Sequence, residues 1–133
     1  MVLTDIALVA LGGGAGSLLR WLVGKMVSSP KPGGIPWSTV VINITGAFVI
    51  GYLSILFSVE WHDRYGSFLK SAILTGVLGG YTTFSTMELD TAKLFRAGGA
   101  RGGAGKAAAY IIVQLAVGIA AARLGATLAR AGG

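Results

Sequence analysis

Ten residues near the middle of the chain, Leu78 to Met87, combine a glycine pair with hydroxyl side chains and an aromatic ring. They read LGGYTTFSTM and lie in a segment otherwise apolar enough to span a bilayer. Adjacent glycines weaken a helix by about 1 kcal/mol each relative to alanine, and an unpaired backbone group in hydrocarbon costs several kcal/mol. A broken helix at this depth therefore persists only against protein or water. The segment predicts a polar passage, with the helix broken at Gly79-Gly80.

The side chains of this segment suit a small anion that exchanges its hydration shell for hydrogen bonds. Hydroxyl donors come from Tyr81, Thr82, Thr83, Ser85 and Thr86. The ring of Phe84 adds a second attraction, because the edge of an aromatic ring is the positive part of its quadrupole. Carbonyl groups freed at a helix break could also coordinate a cation. An anion path and a cation site can therefore coexist in one segment.

A further polar residue, Asn43, lies about two turns into the preceding apolar segment, and Thr39 lies one turn earlier on the same face. The amide of Asn43 offers two donors and one acceptor to a neighbouring helix or to a passing solute. A structural hydrogen bond between helices, worth about 0.6 to 2 kcal/mol, explains an isolated asparagine equally well. Because the Leu78–Met87 segment places further donors at a similar depth, a role for Asn43 in the passage is favoured.

The composition restricts the class of protein. Of the 133 residues, 53% are hydrophobic and 12% are charged, against roughly 25% charged in a soluble domain, and the mean hydropathy is +0.73. The absence of cysteine and a single histidine, His62, argue against thiol, disulfide and zinc chemistry. The net charge of +6 comes from bases that flank apolar segments, which is the pattern of membrane helices and not of a nucleic-acid surface.

The chain has room for four membrane-spanning helices in a single domain, residues 1–133. The predicted spans run from about Thr4 to Val27, Trp37 to Val59, Ser67 to Arg96 and Gly105 to Arg130. Recurrent small residues, including the GxxxG pair Gly12 and Gly16, predict close helix contacts. The expected fold is an all-α integral membrane protein.

The basic residues give a weak signal for orientation. Four of them share a side with the termini, and six lie on the other side: Arg64, Lys70, Arg123 and Arg130 against Lys25, Lys31, Lys93, Arg96, Arg101 and Lys106. Because orientation follows the Lys/Arg asymmetry, so small a difference permits insertion in both directions and hence an antiparallel dimer. A protein with one orientation and a weak signal is an equally good explanation.

At this point the chain resembles the CrcB/Fluc fluoride channels along essentially its whole length. Three motifs carry the resemblance: residues 16–21 (GSLLRW), 39–46 (TVVINITG) and 76–86 (GVLGGYTTFST). The resemblance implies a channel and not an enzyme: a dual-topology antiparallel homodimer in the bacterial inner membrane, with two pores that export fluoride passively from the cytoplasm.

The resemblance also implies roles for individual residues. Asn43 corresponds to the pore asparagine, Phe84 to the first of two phenylalanines that meet fluoride through their ring edges, and Thr39 to a member of a hydroxyl track. Thr83, Ser85 and Thr86 extend the donors of the pore, and Arg20 corresponds to a vestibule arginine that could also simply snorkel toward the interface. The backbone carbonyls of Gly79 and Thr82 correspond to ligands of a structural sodium ion at the dimer centre.

Three positions depart from the family pattern. Met87 stands in place of the second pore phenylalanine, and Gln114 stands where a track serine is usual, as a pore donor or as a link between helices. Glu88 replaces a small polar residue, either as a wet or paired carboxylate or as a group that would repel fluoride. The residue at the family's acidic position, Asp90, has Lys93 at i+3 for a local pair.

Two other classes of function remain open on the sequence. A proton-coupled exporter of the small multidrug-resistance type would share the size and the helix number, but such proteins carry a glutamate within the first helix, which this chain lacks. Glu88 is the only group that keeps such a mechanism possible. The other class is a membrane assembly module that transports nothing and whose polar residues only fasten helices together.

Overall fold

The structure, a computed structural model, describes residues 2–27, 34–59 and 69–132, with the side chains of residues 2, 57–59, 69–71, 85, 100 and 101 excepted. The predicted connection after Val59, the predicted start at Ser67, the basic residues Lys31 and Arg64, and the side chain of Ser85 lie outside this description. Every described element is helical. The bounds are Val2–Met26 (α1), Trp37–Val59 (α2), Leu69–Val77 (α3), Leu78–Tyr81 (α4), Phe84–Ala97 (α5) and Gly99–Gly132 (α6); α3 is wound as a π-helix.

The third apolar segment is interrupted, but not where the glycine pair predicted. Gly79 and Gly80 lie within α4, and the backbone leaves the helical conformation at Thr82 and Thr83, which are extended (φ −75°, ψ 155° and φ −148°, ψ 116°). Gly80 serves packing instead, because a Cβ atom there would overlap the carbonyl oxygen of Gly13 on α1. The prediction that the helix breaks at Gly79-Gly80 was therefore wrong, because the break lies three residues later, at Thr82-Thr83.

The final helix is longer than predicted. It begins at Gly99, six residues before the expected start at Gly105, and a single residue, Gly98, separates it from α5. So tight a reversal is possible because Gly99 takes a positive φ of 62°, which side chains disfavour. A Cβ atom on Gly103 would also overlap the carbonyl of Phe95, so α5 and α6 approach closely from the first turn.

Contacts between side chains and glycines fix the relative directions of the helices. Along α2 and α6, Asn43 lies beside Gln114 and Gly51 lies beside Ala122, so these two helices run parallel. Thr39 bonds to Asp90 and Asn43 bonds to Thr83, so the third segment runs antiparallel to α2. Helix α5 also runs antiparallel to α6, since it reverses at Gly98.

Small residues allow the helices to meet backbone to backbone. On α1, Cβ atoms at Gly12 and Gly16 would overlap carbonyl oxygens of α3, at Ala72 and Val77. On the other side of the molecule, Cβ atoms at Gly51 and Gly125 would overlap the facing backbones of α6 and α2. Such close approach replaces the hydrophobic drive that helices lack in lipid.

Three of the described helices are long and apolar enough to cross a membrane: Leu3–Met26, Trp37–Leu56 and Gly102–Gly132. Only about one residue in ten is buried within the first and third of these spans, and large apolar side chains point outward, among them Leu11, Leu18, Ile112 and Ile119. An apolar exterior with a small interior is what a bilayer demands. The interrupted segment from Leu69 to Ala97 contains no single helix of that length.

Candidate functional site: the helix break and its polar neighbours

Asn43 holds the helix break by bonding both backbone polar groups of one residue, Thr83. Its Nδ2 donates to the carbonyl oxygen of Thr83 at 3.1 Å, and its Oδ1 accepts from the Thr83 N–H at 3.0 Å. The second N–H of Nδ2 donates to Oε1 of Gln114, also at 3.1 Å. All the usual hydrogen-bonding capacity of the Asn43 amide donors is thus committed to protein atoms.

Thr83 then begins the following helix. Its hydroxyl oxygen accepts from the backbone N–H of Thr86 at 3.2 Å, which is an N-cap of α5, and its hydroxyl proton goes to Oγ1 of Thr86 at 2.9 Å. Since the Thr86 hydroxyl acts as the acceptor in this contact, its own proton remains for another acceptor. The hydroxyl of Thr82 turns back into its own helix, to the carbonyl of Leu78.

The two carbonyls that the family resemblance linked to sodium are ones that the break deprives of their helical donors. In a continuous helix the Gly79 carbonyl would accept from the N–H of Thr83, and the Thr82 carbonyl from the N–H of Thr86. Here the Thr83 N–H donates to Asn43 and the Thr86 N–H donates to the Thr83 hydroxyl. Gly79 is exposed, and Thr82 is half-buried beside Gly46.

Gln114 carries an unpaired donor in the interior. The residue is 4% exposed, its Oε1 is taken by Asn43, and its Nε2 has no hydrogen-bond partner among the described residues. A buried amide nitrogen without an acceptor costs about 1 to 3 kcal/mol. Among the described residues no acceptor lies within hydrogen-bond distance of this group, and the side chain near enough to become one is Tyr110, one turn earlier on α6.

A cavity of about 380 Å³ opens at the break, and we call it the break cavity. Five of its lining residues carry the polar and aromatic groups already discussed: Asn43, Thr82, Thr83, Phe84 and Gln114. Phe84 is 65% exposed, whereas Met87 also lines the cavity but is 6% exposed and packs into the core with Val40 and Tyr110. The structure thus brings together most of the residues predicted for the pore.

Thr39 lies apart from this cavity and bonds to a buried carboxylate. Its hydroxyl donates to Oδ2 of Asp90 at 2.8 Å, and the hydroxyl of Tyr110 donates to the same oxygen at 3.4 Å. The predicted local pair is confirmed, with Lys93 Nζ 3.9 Å from Asp90 Oδ1. Sequence reasoning missed Tyr110, although it precedes Gln114 by one turn on the same helix face.

Two other predicted residues lie away from the break cavity. Glu88 is exposed on α5, on the part of that helix that does not line the cavity. Arg20 is half-buried on α1, one turn beyond the contact of Gly16 with α3 and α4. No hydrogen bond or ion pair joins Arg20 to the other predicted site residues in the part of the chain that the structure describes.

Comparison with known proteins identifies the family. Residues 7–126 match the family described as CrcB-like protein, Camphor Resistance (CrcB). The chain is similar to "Fluoride-specific ion channel FluC 2" of Yersinia pseudotuberculosis, with 56% identity over 97% of this chain and 99% of that protein. It is 53% identical to "Fluoride-specific ion channel FluC 2" of Brucella abortus, over 94% of each chain, and 41% identical to "Fluoride-specific ion channel FluC" of Agrobacterium fabrum, over 95% and 96%.

These matches span nearly the whole chain and include every helix that surrounds the break. They confirm the resemblance carried by the three sequence motifs: the chain belongs to the CrcB/FluC family.

Proposed function

We propose that this protein is a fluoride-selective channel that lets fluoride leave the cytoplasm passively. The names of its relatives indicate fluoride as the transported ion. The observation that carries the proposal is the buried Nε2 of Gln114, which has no hydrogen-bond partner within the described part of the chain and belongs to a residue that lines the break cavity. Fluoride is a small anion that accepts strong hydrogen bonds. An amide donor left without a protein acceptor is what such an ion needs when it leaves its hydration shell.

The local field at the break supports an anion path. Helix α5 begins at Phe84 and its N-terminus faces the break cavity. The first turn of a helix carries about half a positive charge, which favours an anion. The exposed ring of Phe84 lines the cavity and can turn an edge toward the ion. The Thr86 hydroxyl, which contacts Thr83 and does not line the cavity, would have to reorient to add a donor. Met87 lines the cavity without offering such an edge.

The hydrogen bonds favour different tasks for the two candidate pore residues of α2, Asn43 and Thr39. Asn43 holds the break open and presents Gln114 with its Nε2 free, and it donates to fluoride only by releasing Gln114 or Thr83. The hydroxyl of Thr39 donates its hydrogen bond to Asp90 in this structure. In our proposal the ion is held first by Gln114 and Phe84, and Asn43 is the positioning group.

We further propose four membrane passes and an antiparallel homodimer in the bacterial inner membrane. The parallel course of α2 and α6 supports the first point, since two parallel spans need an oppositely directed pass between them, which the α3–α5 segment supplies. Exposed Gly79, three residues before the break, offers a surface to a second copy. With the weak charge asymmetry, the second copy can insert in the opposite orientation and give two pores.

A structural sodium ion would fit at this dimer centre. The carbonyls of Gly79 and Thr82 have lost their helical donors, and carbonyl oxygens are ligands that alkali cations accept. A single chain provides only these two ligands from the break, so two copies would be needed to surround one ion. When bound, sodium would supply positive charge that stabilises the freed carbonyls.

The exporter alternative lacks support from the site. A proton-coupled mechanism requires a titratable group beside the path, and Glu88 is exposed away from the break cavity. Asp90 is buried, but its carboxylate accepts from Thr39 and Tyr110 and pairs with Lys93. A passive channel needs no such group.

Fluoride efflux from proteoliposomes tests the proposal. Purified protein is reconstituted with internal potassium fluoride, and external fluoride is followed with an ion-selective electrode after valinomycin provides the counter-current. We expect fast fluoride release without a proton gradient and almost no release of chloride under the same conditions. Equal release of both halides, or none from folded protein, would refute the proposed function.

A further inference from the structure

Tyr81 carries a hydroxyl of the Leu78–Met87 segment that the break cavity does not use. The residue does not line that cavity, and its hydroxyl lies 2.9 Å from Oγ1 of Thr45 on α2. Thr45 Oγ1 also contacts the carbonyl oxygens of Val41 at 2.6 Å and of Ile42 at 3.2 Å. Because a carbonyl only accepts and a hydroxyl has one proton, the Thr45 proton goes to its own helix and the Tyr81 hydroxyl donates to Thr45. This bond fastens α4 to α2.

Helix α4 depends on its neighbours for its position. It is a single turn of four residues, and one turn is too short to be stable alone. Gly46 makes room for it on α2, since a Cβ atom there would overlap the Thr82 methyl group and crowd the Tyr81 ring. On the other side Gly80 meets the carbonyl of Gly13 on α1. Packing thus seats α4 between α1 and α2, and the Tyr81 hydroxyl adds a directional contact to α2.

The two carbonyls proposed as sodium ligands are held by different contacts. The Thr82 carbonyl belongs to the same planar peptide as the N–H of Thr83, which donates to Asn43. Asn43 therefore fixes the direction of that carbonyl. The Gly79 carbonyl has lost this N–H as its helical donor, so its position follows that of α4 and hence the contact of Tyr81 with Thr45.

This contact lies at the surface that we propose for a second copy. Gly79 and Thr45 are both exposed in the single chain, and Tyr81 stands between Gly79 and Thr82 in the sequence. Thr45 follows Asn43 by two residues on α2. One short stretch of α2 therefore anchors the backbone on both sides of the two carbonyls.

We propose that Tyr81 is a positioning residue for the cation site: by donating to Thr45, it holds the Gly79 carbonyl at the spacing from the Thr82 carbonyl that a sodium ion requires. This inference rests on the sodium site of the proposed dimer. It adds two side chains, those of Tyr81 and Thr45, that supply no ligand themselves.

A sodium titration of Tyr81→Phe tests the proposal, because phenylalanine keeps the ring beside Gly46 and removes only the hydroxyl. Wild type and variant are purified in micelles with N-methyl-D-glucamine as the replacement cation. Each is unfolded with a denaturing detergent at fixed protein concentration and fixed ionic strength, over a range of sodium concentrations. A ligand that binds only the folded protein stabilises it once its concentration exceeds the dissociation constant. The sodium concentration at which stabilisation begins, the sodium onset, therefore measures the affinity of the site.

We expect the sodium onset of Tyr81→Phe to be about 3- to 20-fold higher than that of the wild type, which is the factor that one hydrogen bond between membrane helices is worth. A hydrogen bond with a purely structural role would instead lower stability equally at every sodium concentration and leave the onset unchanged. A sodium onset within about twofold of the wild type overturns the proposal.

Thr45 provides a second pair of variants. Thr45→Val removes the acceptor of the Tyr81 hydroxyl and should raise the sodium onset by a similar factor, whereas Thr45→Ser keeps the hydroxyl and should retain the wild-type onset. Because the two residues act through one bond, Tyr81→Phe combined with Thr45→Val should shift the onset no further than either change alone. Shifts that multiply in the double variant would mean that the residues act independently, and would overturn the proposal.

Tyr52→Phe is the matched control. It removes a tyrosine hydroxyl from α2 at a position where the ring is 36% exposed and stacks on Phe48, with 6.5 Å between the centroids. The sodium onset should stay that of the wild type, and a shift equal to that of Tyr81→Phe would overturn the assignment.

Fluoride efflux of the wild type is measured separately, so the two proposals can fail independently. A wild type that conducts fluoride but whose stability does not respond to sodium overturns the cation site and this inference, and not the channel. A wild type that responds to sodium with the expected shift in Tyr81→Phe, yet does not conduct, refutes the channel and supports the positioning role.

Discussion

Replacement of Asn43 by alanine should destabilise the protein as well as slow conduction. The side chain makes three hydrogen bonds at 3.0 to 3.1 Å, two to the backbone N–H and carbonyl of Thr83 and one to Gln114. Hydrogen bonds between membrane helices are worth about 0.6 to 1.7 kcal/mol each, so the loss of three amounts to roughly 2 to 5 kcal/mol. Water that fills the vacated space would move the cost toward the lower figure.

The free energy of unfolding in mixed micelles, titrated with a denaturing detergent at fixed protein concentration, measures this cost. Phe84→Ala is the control, because that ring is 65% exposed and makes none of the described hydrogen bonds; we expect a change under about 1 kcal/mol for it. If Asn43→Ala unfolds within about 0.5 kcal/mol of the wild type, Asn43 does not hold the break and the assignment of its hydrogen bonds is refuted.

Three further outcomes follow from the same contacts. Gly16→Ala should destabilise the protein by about 1 to 3 kcal/mol through overlap with the α3 backbone, while Gly14→Ala, which faces open space, should be neutral in the same unfolding titration. Thr39→Val should cost about 1 to 3 kcal/mol because it removes the hydroxyl that donates to Asp90 at 2.8 Å, and Thr39→Ser, which keeps that hydroxyl, should retain wild-type stability. Phe84→Ala should reduce fluoride efflux while the oligomeric state on size-exclusion chromatography stays that of the wild type; normal efflux would remove the ring from the path.

The position of the helix break shows what the sequence could and could not predict. The glycine pair and the hydroxyl cluster indicated an interrupted segment, and the interruption is present within that cluster. Its exact position depends on a partner 40 residues away, because Asn43 bonds both the backbone N–H and the carbonyl of Thr83. Gly80 instead meets the α1 backbone at Gly13, a contact that local propensity does not contain.

The residues of the site were predictable, whereas their hydrogen-bond partners were not. Asn43, Thr83 and Gln114 could be proposed from residue type and family resemblance, and the structure brings them together. Which group donates and which accepts in each hydrogen bond could not be read from the sequence. Thr39 donates to Asp90, which lies 51 residues further along.

The central claim is that fluoride is held by the free amide donor of Gln114, and Gln114→Leu tests it most directly. Leucine has a similar volume and lacks the donor. Fluoride efflux from proteoliposomes is measured for this variant and the wild type side by side, with folding checked by size-exclusion chromatography. A lost hydrogen bond to a charged group is worth about 1.5 to 3 kcal/mol, so the account predicts an efflux rate lower by about 10- to 100-fold. Wild-type efflux through folded Gln114→Leu would contradict it.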